Sequence, residues 1–264
     1  MAEAFDAARV REVGVAAARA AGELLRSRID SIGEVRHKGV VDLVTDVDVA
    51  SEQLVARAIV EAFPSHTILG EEGGAHGGSE SRFRWIVDPL DGTTNYTHGF
   101  PLFCVSIGFE ADGELQFGAV YAPYVEELFV ASAGSGATLN GRPIHVSNVD
   151  ELRQAMLATG FPYDRDGALS RALRSFEVLS HRSQAVRRVG SAALDLCYVA
   201  CGRFDAYWEH IVKPWDLAAG ALIVREAGGQ VSAADGSRFS VDGGQVLASN
   251  RALHPFMVEA LAGI

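Results

Sequence analysis

Basic residues are scarce in this chain: 23 lysines and arginines stand against 34 aspartates and glutamates in 264 residues, for a net charge of −11. That balance argues against nucleic acid as a main partner, because phosphate backbones are bound by concentrated Lys and Arg. An acidic protein that binds an anion needs cations as mediators. Long apolar runs are missing too. They fall short of the roughly 20 residues that span a bilayer, and Arg9, Arg11, Glu12 and Arg19 interrupt the first one, so no membrane partner is expected. The opening Met1-Ala2-Glu3-Ala4-Phe5-Asp6 lacks the basic n-region and apolar core of a signal peptide, and a cytoplasmic location is expected. Cysteine is rare and odd in number, at Cys104, Cys197 and Cys201. The last two are four apart in a stretch that reads as helix, beside small apolar neighbours such as Val199 and Ala200, so core thiols are expected rather than metal or redox groups. No low-complexity linker separates the halves of the chain, and no repeat of fixed period is visible.

With 48% hydrophobic residues, the chain can bury a sizeable core as one large domain or as two packed layers. Apolar residues at Val10, Val13, Ala17, Ala20, Ala21, Leu24 and Leu25 recur at helical spacing and predict an amphipathic helix over 5–29. A second helix is predicted over 47–63, after a turn-prone segment containing Lys38 and Gly39 and before Pro64. Between 103 and 139 the pattern changes to short alternating runs, read as antiparallel strands at 105–109, 117–121 and 128–131. Beyond 154 strands and helices alternate: strand 156–159, helix 169–180, strand 185–189, helix 191–201, strand 204–208 and helix 214–227. Residues 72–79 read as a glycine-rich flexible loop. A soft boundary at 148–151 divides an α+β half, 1–149, from an α/β half, 150–264.

The segment Trp85-Ile86-Val87-Asp88-Pro89-Leu90-Asp91-Gly92-Thr93-Thr94-Asn95-Tyr96 ends an apolar strand in two carboxylates three residues apart. Pro89 removes a backbone donor and stiffens the chain, so Asp88 and Asp91 can converge with the Leu90 carbonyl between them. Gly92, Thr93 and Thr94 then offer backbone N–H groups and hydroxyls that suit a phosphate beside a divalent cation. The pattern points to metal-assisted phosphate chemistry, although turn and capping preferences account for each residue singly.

More acids stand at element ends. Glu71 follows Ile68-Leu69-Gly70 and reads either as a ligand or as a surface loop acid. Asp42, Asp46 and Asp48 flank Thr45 at the start of the second helix, where acids also complement the helix dipole. Asp216 lies just after Pro214 and has the same helix-end reading. Acids at four strand or helix ends next to a Gly-Thr-Thr cradle favour a shared site over four separate accidents.

These residues resemble the inositol monophosphatase family, the lithium-sensitive, magnesium-dependent phosphatases. The resemblance rests on Asp88-Pro89-Leu90-Asp91-Gly92-Thr93-Thr94-Asn95, on Trp215-Asp216 with Ala218-Ala219-Gly220 and Glu226-Ala227-Gly228-Gly229, on Gly70-Glu71-Glu72, and on Asp42-Leu43-Val44-Thr45-Asp46-Val47-Asp48. It implies a layered α-β-α-β-α sandwich of the inositol monophosphatase and fructose-1,6-bisphosphatase type, and a homodimer. It implies two or three Mg2+ ions per subunit: one on Glu71, Asp88 and the Leu90 carbonyl, a second on Asp88, Asp91 and Asp216, and a weaker third near Glu71. Catalytic roles fall to Thr93, Asp48 and Glu71, with Thr93 and Asp48 orienting a water and accepting its proton. Asp91, Gly92, Thr93 and Thr94 would hold the phosphate, together with Asp216.

The implied substrate is a small phosphate ester. Gly190, Ser191, Ala192 and Glu209 resemble the inositol-contacting positions, and a carboxylate suits vicinal ring hydroxyls, which favours inositol 1-phosphate. Glu209 could instead pair with Lys213 or be solvated. Arg187 and Arg188 could meet a second phosphate or a subunit contact, so fructose 1,6-bisphosphate, histidinol phosphate and adenosine 3′,5′-bisphosphate stay open as substrates. A regulatory scaffold that binds protein partners is the reading from a different class.

Overall fold

Asp6 accepts the Arg9 N–H at 3.0 Å and caps the helix α1 (Ala7–Arg28), whose apolar stripe Val10, Val13, Ala17, Ala21 and Leu25 is buried. The computed structural model describes residues 5–31, 35–37, 43–73, 75–76, 81–162 and 167–264. Lys38, Gly39, Asp42 and half of the 72–79 loop, residues 74 and 77–79, therefore lie outside the described residues. A short antiparallel pair, β1 (Val35–His37) and β2 (Leu43–Thr45), leads into α2 (Asp46–Ala62), where Thr45 and Asp48 form a capping box.

The strands β3 (Thr67–Gly70), β4 (Ala75–His76) and β5 (Phe83–Asp91) follow, and then the short helix α3 (Thr93–Thr97). Next come β6 (Cys104–Ala111), β7 (Glu114–Ala122), β8 (Glu127–Ser132), β9 (Ala137–Leu139) and β10 (Arg142–Pro143). They make one sheet in the order β10-β9-β8-β7-β6-β5-β3-β4, antiparallel except where β3 runs parallel to β5. The remaining elements are β11 (Met156–Thr159), α4 (Ala168–Arg182), β12 (Ala185–Arg187), α5 (Ala192–Ala200), β13 (Ala206–Glu209), α6 (Pro214–Glu226), β14 (Gln230–Ser232), β15 (Val246–Ser249) and α7 (His254–Leu261). Their strands form a second sheet, β12-β11-β13-β15-β14. In it β11 is parallel to both neighbours and β15 antiparallel to both of its own.

The layers follow from which face each side chain takes. On β7, Phe117, Ala119 and Tyr121 join α1 and α2 in one core, while Val120 and Ala122 point the other way into the core of α5 and α6, as the two-residue period of a strand requires. Both faces of this antiparallel sheet are thus covered. The second sheet lies beyond α5 and α6, and α4 and α7 close its outer face around Leu179, Trp208, Leu247 and Met257. The result is the α-β-α-β-α sandwich. No helix among the described residues is long and apolar enough to cross a membrane.

One contact sets the height of α6. A Cβ at Gly108 would lie 2.6 Å from the Ala218 methyl, and one at Gly118 would lie 2.7 Å from the Ala219 carbonyl oxygen, so the helix rests directly on sheet backbone. Several elements differ from the sequence reading. The strand at 185 stops at Arg187, before Gly190 turns the chain with φ of 91°. Residues 75–76 pair with β3 rather than looping freely, and the cradle sequence at 93–97 is itself helical.

Candidate active site

Residues three apart on a regular strand point to opposite faces, yet Asp88 and Asp91 share one. Between them the register with β6 shifts: Asp88 faces Ser106 and Asp91 faces Cys104, three residues against two, which is a one-residue bulge. Pro89 sits inside it, where its missing N–H deprives the ladder of nothing. The strand β5 runs on through the bulge to Asp91, so both carboxylates belong to it. Ser51 on α2 donates to the Pro89 carbonyl at 2.8 Å, and the Leu90 N–H donates to Asp88 Oδ1 at 3.0 Å, which fix the bulge.

Asp216 enters from the first turn of α6. It accepts the Lys213 N–H at 2.8 Å, so the helix-end role holds, and its carboxylate still joins the cluster: Asp88, Asp91 and Asp216 each offer an oxygen within 4.8 Å of the others. Asp91 is the most braced of the three. Its Oδ2 accepts the Ser191 hydroxyl and the Ala193 N–H, both at 2.7 Å. Among the described residues no lysine or arginine forms an ion pair with these three acids. Burial and then the charges of Glu71, Asp91 and Asp216 push the Asp88 carboxyl well above the usual range. Burial, followed by Asp91, does the same to Asp216.

Glu71 lies just outside that trio, half-buried. The parallel register Gly70 to Val87 carries it alongside Asp88, close enough for its charge to act on both Asp88 and Asp216. Its loop is held by Glu52, a buried acid on α2 that the sequence reading missed. Glu52 accepts the Glu72 N–H at 2.8 Å and the Gly73 N–H, and Gly70 makes the room, since a Cβ there would lie 2.4 Å from Glu52 Oε2. The available signal is the spacing: Glu52 is one helical turn beyond Asp48, on the same face.

Of the acids around Thr45, Asp46 is exposed and pairs with Arg36 at 2.6 Å, while Asp48 is fully buried. Asp48 accepts the Thr45 N–H at 2.9 Å and the Thr93 hydroxyl at 3.1 Å. Burial raises its pKa, opposed by those hydrogen bonds. The Thr93 hydroxyl also lies 3.0 Å from the Leu90 carbonyl, and its single proton can serve only one of the two acceptors at a time. Gly92, with φ of 91°, precedes α3, whose first N–H groups have no partner within the helix. Thr94 is half-buried beside them.

From Asp91 and Asp216 a cavity of about 90 Å3 runs to Gly160, Phe161, Arg188, Gly190 and Glu209. Ser191 and Ala192 also line it, although the Ser191 hydroxyl is turned to Asp91. Glu209 is buried and accepts the Tyr207 hydroxyl at 2.5 Å rather than pairing with Lys213. Burial is what pushes it up to about 7. Both arginines are exposed; Arg188 flanks the cavity, whereas Arg187 donates to the Val186 carbonyl at 3.2 Å. A larger hollow of about 360 Å3 lies elsewhere, but its main ions are already paired, Arg84 with Glu110 and Asp242 and Arg238 with Glu114.

All donors converging here are oxygens, the preference of a hard divalent cation such as Mg2+. Burial and the neighbouring acids disfavour the charged forms of Asp88 and Asp216, and a bound cation would favour them. A profile of the inositol monophosphatase family matches residues 6–264. The chain belongs to that family. It is 46% identical over 252 residues to an inositol-1-monophosphatase from Synechocystis sp., covering 95% of this chain and 88% of that one. It is 45% identical over 245 residues to the Nus factor SuhB of Pseudomonas aeruginosa, covering 90% of each. A solved inositol monophosphatase from Anabaena (Nostoc) sp. superposes with a TM-score of 0.87 at 43% identity, over 96% of this chain and 95% of the other. Members of the inositol monophosphatase family are metal-dependent phosphatases acting on small phosphorylated substrates, and this chain is a phosphatase of that family.

Proposed function

We propose that the enzyme hydrolyses inositol monophosphates with Mg2+ as cofactor, releasing inositol and inorganic phosphate. The observation that carries this reading is the oxygen-only cluster of Asp88, Asp91 and Asp216 opening into a cavity whose far wall holds the buried carboxyl of Glu209. Glu71, Asp88 and the Leu90 carbonyl would hold one ion, Asp88, Asp91 and Asp216 a second, and a weaker third would sit near Glu71. Bound there, Mg2+ supplies Lewis acidity, lowering the pKa of water and stabilising charge on the leaving oxygen.

The protein's own groups do the rest. With the Leu90 carbonyl engaged, the Thr93 hydroxyl donates to Asp48 and turns a lone pair toward the attacking water, which Glu71 helps to hold. The N–H groups of Gly92, Thr93 and Thr94 orient the phosphate, which is catalysis by positioning and charge. Glu209 accepts from a ring hydroxyl, and the segment Gly190, Ser191 and Ala192 forms the adjoining wall. Residues 1–149 would then carry most of the metal ligands and the phosphate cradle, and 150–264 would carry Asp216 and the residues that contact the ester, within a homodimer.

The test is phosphate release from inositol 1-phosphate, fructose 1,6-bisphosphate, histidinol phosphate and adenosine 3′,5′-bisphosphate, with Mg2+, with EDTA, and with added Li+. Preference for the inositol ester, lost in EDTA and inhibited by Li+, supports the reading. Preference for another ester keeps the chemistry and overturns the substrate. A second reading, a regulatory role with a protein partner, draws on the name of the SuhB relative. It requires a stoichiometric partner recovered from native lysate, with no turnover of any of these esters.

A further inference from the structure

Asp195 is buried in a way that the fold does not explain. It lies in the first turn of α5 with 1% of its surface exposed, and its Oδ1 has no hydrogen-bond partner. A buried polar atom normally finds a partner, and one that does not is a cost to folding. Dipole complementation at the start of a helix does not require burial. Nor does Asp195 cap α5, because the Ala193 N–H is taken by Asp91 and the Leu194 N–H by the Ser191 hydroxyl.

What Asp195 does have is a place in the wall of the 90 Å3 cavity, together with Glu209, Arg188, Asp91 and Asp216. The two far acids differ. Glu209 spends one oxygen on Tyr207, whereas the buried Oδ1 of Asp195 has no partner. Burial, then the charges of Glu209 and Asp91, push the Asp195 carboxyl well above its ordinary range, and Arg188 opposes that shift; the Arg188 guanidinium folds over the chain at Gly190, with one nitrogen 2.5 Å from where a Cβ would be. A cationic substrate group would meet that guanidinium as well as the acids. A neutral group rich in O–H donors would not, and a carboxyl offers an acceptor oxygen to such a donor whether or not it carries a proton.

We propose that Asp195 is a specificity-determining residue that accepts a hydrogen bond from a hydroxyl of the substrate's polyol ring, so that Asp195 and Glu209 together read two hydroxyls. The inference deepens the substrate assignment above and rests on it. It explains the cost of the unpartnered carboxyl, since the missing partner arrives with the substrate.

The test compares kcat/KM for inositol 1-phosphate and for p-nitrophenyl phosphate, which has no ring hydroxyl, in the wild type, Asp195→Ala and Asp195→Asn. Asp195→Ala is expected to lose about 10- to 100-fold on the inositol ester, the span of a hydrogen bond to a charged group, with p-nitrophenyl phosphate within about twofold. Asp195→Asn keeps an acceptor oxygen and should recover part of the loss. Among mono-deoxy inositol phosphates, one should be penalised in the wild type but not further in Asp195→Ala, because both changes remove the same bond. Removing an unpartnered carboxyl should also raise the Tm by about 2–4 °C.

Equal losses on both esters, no loss on either, additive penalties across the deoxy series, or a lowered Tm would each overturn the proposal. Wild-type preference for a different polyol phosphate would overturn the inositol assignment alone, and the same comparison on that ester then decides the role of Asp195. If the wild type prefers no polyol ester to p-nitrophenyl phosphate, both fall.

Discussion

Ser191 donates its hydroxyl to Asp91 Oδ2 at 2.7 Å across 100 residues of sequence. This joins the N-cap of α5 to the end of β5, so the carboxylate is held before any ion arrives. Ser191→Ala should leave Asp91 in place with one fewer donor, weakening Mg2+ binding about 10- to 100-fold, as loss of a partner behind a metal ligand does. A titration of activity against Mg2+ reads this directly, and an unchanged midpoint would count against the brace.

Asp91→Asn and Asp216→Asn each remove a charged ligand but no core volume. Each should abolish most Mg2+-dependent turnover and leave the fold intact. In EDTA each variant should melt higher than the wild type, because one member of a mutually repelling, buried set is gone. Full activity in either variant would remove that residue from the ligand set.

Glu52→Gln tests the loop that carries Glu71. The amide keeps the size but cannot accept both the Glu72 and Gly73 N–H groups with equal strength. The expected result is a rise of about tenfold in the Mg2+ needed for half-maximal rate, with little change in the rate at saturation. A fall in the saturated rate alone would give Glu52 a different role.

How much of this was legible depended on whether the signal was local. The 3.6-residue period gave α1, α2, α4, α5 and α6 close to their observed ends, and the carboxylates Asp88, Asp91 and Asp216 stood out because each sits where an apolar run meets Pro or Gly. The bulge did not show, because whether Asp88 and Asp91 share a face depends on the pairing of β5 with β6. Glu52 and Asp195 did not show either. An acid within a helix, such as Glu52, looks like a solvated face and one in a first turn, such as Asp195, looks like dipole complementation, and only packing against other elements makes either a buried one. Short elements such as β1, β9, α3 and α7 are likewise set by tertiary contact rather than by propensity.

Stability should depend on pH with an unusual sign once the metal is removed. Glu209, pushed up to about 7 from an ordinary 4.5, holds its proton more tightly folded than unfolded. It therefore takes away as much as about 3 kcal/mol of stability as pH climbs through that window. Asp88 and Asp216, raised by burial and by the neighbouring acids, act in the same direction. His210 and His254, both lowered to about 4, work in the opposite direction, but only below their unfolded value of 6.5. Between pH 6.5 and 8 the Tm in EDTA should therefore fall, and Mg2+ should restore it. A flat profile in EDTA would show that the buried carboxyls are not held above their ordinary range.

The seating of α6 on Gly108 and Gly118 has a bearing on how such an enzyme can diversify. At Gly118 backbone meets backbone and at Gly108 only the Ala218 methyl intervenes, so little side chain is left to repack and the separation of Asp216 from Asp88 and Asp91 is held as neighbouring residues change. The cavity wall at Gly160, Arg188, Asp195 and Glu209 belongs to other elements and is free of that constraint. Selection on ester preference can thus act on one surface while the hydrolytic chemistry stays anchored on the other.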